Sequence, residues 1–215
     1  MKIKIYTRTT FLTTLLVMAS LLLSSCSKDN GADDGPASGK GGVSMKVDGD
    51  PWKSTTNTMM TKEVESGEME KYHIVVISAL RGNGDDLSES LSLYVNIPAS
   101  KFRNPKGTYQ VAIEEEEKDH TWAVLAKNVG TDASTLYVSA DPDQTERTMG
   151  VLEITGFEIG NQKLPGQATG EEGYTKLSGS FHFELYSVLG TGDSLEVTEG
   201  RFDLTSGFDF GWGGQ

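Results

Sequence analysis

The chain has 215 residues, with 31 Asp+Glu against 19 Lys+Arg and a formal charge of −12. A balance that negative argues against nucleic acid or anionic lipid headgroups as partners, because both repel it. The single cysteine excludes an internal disulfide, so a folded domain must rest on its apolar core.

Residues 1–25 have a three-part layout. Lys2, Lys4 and Arg8 form a basic head, Phe11 to Leu23 an apolar middle, and Ser24-Ser25 the small residues before Cys26. This is the pattern of a secretory signal. The apolar run is shorter than the roughly 20 residues a membrane-spanning helix needs. Leu23-Ser-Ser-Cys26 resembles the bacterial lipobox, which implies cleavage between Ser25 and Cys26 and a diacylglycerol on the Cys26 thiol. Each buried CH₂ would contribute about 0.8 kcal/mol, so two or three chains give a lasting membrane anchor. Loss of residues 1–25 removes three basic residues and no acid, making the mature chain more negative still.

Residues 26–42 comprise this cysteine and a stretch with five glycines and a proline, which predicts a flexible tether. The opening Ser27-Lys-Asp-Asn30 and following acids resemble the export signal of surface lipoproteins. That implies the outer membrane and its outer leaflet, ahead of the periplasmic face.

Residues 43–206 predict a single all-β domain. Leu91, Leu93, Val95 and Ile97 alternate with Ser92, Tyr94 and Asn96. Tyr109, Val111 and Ile113 alternate likewise, and Leu177, Gly179, Phe181, Phe183 and Leu185 share one face. Such alternation means strands with one side on a core and one toward water. Further strands are expected at 43–47, 72–79, 121–127, 134–139, 151–159 and 194–204. The stretch Met59–Met69 is mixed and charged, and is expected to be a loop ahead of a short helix. Inward positions change phase across Gly156 and Gly200, as a β-bulge requires. Leu177–Leu185 and Leu195–Leu204 are expected to pair as a hairpin. About ten strands with bulges and no helical layer predict an antiparallel β-sandwich or flattened barrel.

Met45-Lys-Val-Asp-Gly-Asp-Pro-Trp52, Gly107-Thr-Tyr109, Leu177-Ser-Gly-Ser-Phe-His-Phe183 and Val197-Thr-Glu-Gly-Arg-Phe202 occur in this order after the lipobox. The set resembles an uncharacterised Bacteroidetes surface lipoprotein family that shares an all-β domain of unknown function. The resemblance covers residues 43–205 and implies no activity and no catalytic residues. The motifs also have structural readings: Asp48-Gly49 as a hairpin turn, Trp52 with its ring on the core, Gly179 as space opposite a large side chain.

Catalytic patterns are scarce. His73, His120 and His182 have no second ligand at zinc spacing, and there is no nucleophile elbow or phosphate loop. No cofactor is implied. Asp141, Asp143 and Glu146 supply oxygen ligands for calcium, without the glycine and spacing of an EF-hand. Tyr94, Trp122 and Tyr186 are candidate ligand contacts, expected on a concave face or loop end. Residues 207–215 form an aromatic, glycine-rich tail in which Trp212 stands either as a binding residue or as a cover for the sheet. The reading is a non-catalytic module binding a glycan or an envelope protein. A structural accessory lipoprotein is the alternative, with a hydrolase behind both.

Overall fold

The computed structural model describes residues 41–64, 72–83, 86–111, 121–140, 148–163, 169–189 and 192–206. Ser25, Cys26, the tether to residue 40, Asp141, Asp143, Glu146 and the tail with Trp212 lie outside them.

The described residues form eleven strands: β1 Gly42–Val47, β2 Asp50–Lys53, β3 Thr56–Val64, β4 Tyr72–Asn83, β5 Asp86–Pro98, β6 Gly107–Val111, β7 Trp122–Lys127, β8 Thr135–Val138, β9 Gly150–Gln162, β10 Glu171–Ser187 and β11 Ser194–Thr205. They make one antiparallel sheet in the order β2-β1-β11-β10-β8-β7-β5-β4-β3. Strand β9 pairs with the first part of β10 and carries β6 on its other side. The sheet curls strongly into a half-barrel, so of the two expected architectures the barrel is the nearer.

The inward positions fill the interior. Val75, Ile77, Leu91, Leu93, Val95, Leu125, Leu152, Leu177, Leu185 and Val197 have no exposed surface. Burying one such side chain contributes about 1.5–3 kcal/mol, which is how a domain without disulfides holds together. Phe181, Phe183 and Phe202 stack inside with centroids 5.3 and 6.4 Å apart. A Cβ at Gly179 would sit 2.6 Å from the Phe202 ring, so glycine is required for the Phe202 side chain to lie there.

The local expectations for this half of the sheet hold. β10 and β11 form the hairpin, with Leu177 opposite Leu204 and Leu185 opposite Leu195. Its register shifts beside Gly200, where Glu199 takes φ 52°. The β9–β10 register shifts beside Gly156. Asp48 and Gly49 turn with φ 52° and 86°, and Trp52 is buried on the core.

One expectation fails. Residues 56–64 are the edge strand β3, not a loop. Its inward side chains are Asn57, Met59 and Thr61, so no apolar alternation marks it. The polar groups of Thr61 are satisfied from far along the chain. The Thr61 N–H donates to Gln162 Oε1 at 3.0 Å, and the Tyr174 N–H donates to Thr61 Oγ1 at 3.1 Å. Gln162 Nε2 in turn donates to the Tyr174 carbonyl. Side-chain amide and hydroxyl thus replace a strand ladder, and this seam ties the edge of the curled sheet to β9 and β10.

Candidate docking face

The outer surface of the sheet divides into two halves. Over β1, β11, β10 and β9 it is charged: Lys46 bonds Glu199 at 2.7 Å, Lys176 faces Glu158 at 3.7 Å, and Glu153, His182, Glu196 and Arg201 are exposed. This is the ordinary solvated side of a half-buried sheet.

Over β3, β4, β5, β7 and β8 it is different. Strand register aligns the outward residues in rows. Met60, Val76, Tyr94 and Trp122 form one row. Thr58, Ser78, Ser92, Val124, Val138 and Tyr186 form the next. Thr56, Leu80, Ser90, Ala126 and Leu136 form the third. No residue in these rows is charged; Lys62, beside Ile74, stands at the border. Just beyond Leu136, whose carbonyl accepts the Val188 N–H at 3.0 Å, Val188 and Leu189 are 47% and 70% exposed.

At the centre, the Tyr94 and Trp122 rings stack with centroids 4.7 Å apart and planes 7° from parallel. Directly opposed aromatics on neighbouring strands contribute about 0.5–1.5 kcal/mol beyond their burial. Burial raises the Tyr94 phenol above its ordinary pKa, so it stays neutral. Asn96, two residues along β5, is buried, and its Oδ1 has no hydrogen-bond partner. An unpaired buried acceptor costs about 1–3 kcal/mol.

The structure therefore brings Tyr94, Trp122 and Tyr186 onto one face, as candidate contacts require. It corrects their setting: the face is the convex outside of the sheet, and all three rings are half-buried. The concave side, where they were expected, is filled by the core. Sequence reasoning missed Met60, Val76, Val124, Val138 and Leu136. The signal for Val76 and Val124 was present in Ile74-Val-Val-Ile77 and Trp122-Ala-Val-Leu-Ala126, runs that are apolar without alternation. A continuous apolar run marks a strand covered on both faces.

The two ends of the interior are polar. At one, the Trp52 indole donates to Glu89 Oε2 at 2.7 Å, and the Arg81 guanidinium reaches the same oxygen at 3.1 Å. At the other, the Tyr174 hydroxyl donates to the Phe102 carbonyl at 2.7 Å and His73 stacks on Phe102 at 3.9 Å. Burial first, then the neighbouring Tyr109, raise the Tyr174 phenol far above its ordinary range, with Arg103 opposing. Arg103 itself pairs with both carboxylate oxygens of Glu172 at 2.8 and 2.7 Å. These groups hold one another, and among the described residues no three His, Cys, Asp or Glu converge as a metal site would need. Compared with protein-family models, curated proteins and solved structures, the chain matches none.

Proposed function

We propose that this chain is a lipid-anchored envelope lipoprotein, held by Cys26, whose β domain is a non-catalytic docking module for a partner protein. The observation that carries the docking reading is the uncharged outer face of β3, β4, β5, β7 and β8. Five strands at about 4.8 Å and three rows at about 6.7 Å make a surface of roughly 24 by 20 Å. An apolar patch of several hundred Å² on a soluble domain marks an interaction site. Its mixture of Trp, Tyr and Met with small hydroxyls, and its lack of charge, is the composition of an interface core. A sugar ring would need an open aromatic face, and Tyr94 and Trp122 each give one face to the other. A protein surface is the better fit. The anchor rests on the lipobox and tether, and the family resemblance on its ordered motifs.

The docking reading is tested by thiol accessibility. Ser92→Cys should react slowly with an impermeant maleimide in intact envelopes and quickly in dilute purified protein. Ser180→Cys, on the charged half, should react alike in both. Equal rates at Ser92→Cys in both settings would remove the docking reading. For the anchor, Cys26→Ser should leave the membrane fraction or remain unprocessed. A mature-sized variant still on membranes would overturn it.

A further inference from the structure

We infer that the occupant of the uncharged face is a second copy of this chain, packed face to face about a two-fold axis. The inference rests on the docking reading and adds the partner.

Around a two-fold axis the same patch meets itself, so each charge near the axis faces its own kind. A chain with 31 acids and 19 bases can meet itself closely only through a surface cleared of charge. A basic partner would impose no such demand. Acidic residues would then be an advantage, because a basic partner surface is steered and held by them. The three rows from Thr56–Leu136 to Met60–Trp122 carry no charge, while the same sheet bears Glu153, Glu158, Lys176 and Arg201 on its other half. The clearing is therefore local to one face.

Area sets the strength of the contact. The face offers roughly 500 Å² in projection, from the strand spacings. A standard stable interface needs about 800 Å² from each partner. A contact of this size is weak in dilute solution. Anchoring both copies to one membrane turns the second encounter into a confined one and raises effective concentration to about the millimolar range. A lipid surface is a poorer occupant. The centre of the face holds Ser78 and Ser92, and the chain is strongly anionic.

The test uses the whole chain in its membrane. Ser92→Cys, near the centre of the face, should give a covalent dimer of twice the chain mass on mild oxidation. Ser180→Cys and the parent chain, which carries only Cys26, set the background. Adding Trp122→Glu should reduce that dimer at least tenfold, while circular dichroism shows the same β signal and keeps misfolding out of the explanation. In non-ionic detergent, sedimentation should show a concentration-dependent dimer that Trp122→Glu removes. Two outcomes overturn the proposal. In one, Ser92→Cys forms an adduct of another mass and the purified chain sediments as a monomer; docking then stands and self-association falls. In the other, Ser92→Cys gives neither a dimer nor maleimide protection, and both readings fall.

Discussion

Two halves of one sheet share an interior and differ on the outside. The strands β9, β10, β11 and β1 alternate between their bulges: Leu177, Phe181, Phe183 and Leu185 point in, and Ser178, Ser180, His182 and Glu184 point out. The strands β4 and β7 are apolar on both sides, with Ile74 and Val76 outward of Val75 and Ile77, and Trp122 and Val124 outward of Ala123 and Leu125. The inward residues account for folding in both halves. What remains unexplained by folding is the outward set on β3, β4, β5, β7 and β8. That difference, not any single residue, is what supports the proposed docking face.

The two halves form one cooperative unit joined at the seam, and Gln162 is where that joint is weakest to substitution. Gln162→Leu removes the acceptor for Thr61 and the donor to Tyr174, leaving two buried backbone groups unpaired. Each unpaired group costs about 1–3 kcal/mol, so the loss should be about 3 kcal/mol. For a domain of this size that is a fall in Tm of about 10 °C. A single thermal transition should persist. Two separate transitions in calorimetry would show that the halves fold independently, and the contrast would then be one between subdomains.

A paired swap sharpens the contrast next. Trp122→Glu places a charge in the uncharged rows and removes the Tyr94 stack, which should cost about 1 kcal/mol of stability while abolishing association. Glu158→Lys, on the other half, should stay within about 0.5 kcal/mol, since an exposed ion pair contributes little. Sedimentation and thermal melts read both. Equal loss of association in the two variants would mean that association does not run through the uncharged face.

A smaller effect is expected at Asn96. Its unpaired buried Oδ1 is a burden that an apolar side chain of like size lifts. Asn96→Leu should therefore raise stability by about 1 kcal/mol, or Tm by about 2–4 °C. A fall of similar size would mean that Asn96 is satisfied and the unpaired acceptor is wrong.

The charged half was legible because each strand states its own faces. Leu177–Leu185 shows alternation within nine residues, and the bulges at Gly156 and Gly200 show as changes of phase. Strand β3 was not legible, because Thr61 is an inward residue only in company with Gln162 and Tyr174, about a hundred positions away. The docking face lay between these cases. Tyr94 and Trp122 could be named singly as aromatics on outward positions. Their stacking, and the row running from Met60 to Trp122, depends on register across four strands, which no local window contains. The apolar runs in β4 and β7 pointed to a second covered side, but not to what lies against it.

The smallest expected effect lies at the seam and separates it from the face by pH. His73 stacks on Phe102, which packs against Tyr174 with centroids 5.1 Å apart, so the ring sits where β4 meets β10. Its Nδ1 is buried without a partner. Burial lowers its pKa, and the charges of Glu63 and Glu172 oppose that without cancelling it. In the unfolded chain the ring protonates near its ordinary value of about 6.5. As pH falls below that value the unfolded state takes up the proton first, so stability declines, and the decline stops once the folded ring also protonates. Above about pH 7 His73 contributes no pH dependence. His73→Gln should flatten the fall in Tm between pH 7 and 5 relative to the parent chain. Parallel curves would show that this histidine does not set the slope. The rows of the docking face contain no group that titrates in this window, so the dissociation constant of Ser92-centred association should stay level over the same range in the folded protein. If association weakened in step with stability, the face and the seam would be one coupled element, and the division between the two regions would have to be redrawn along the seam.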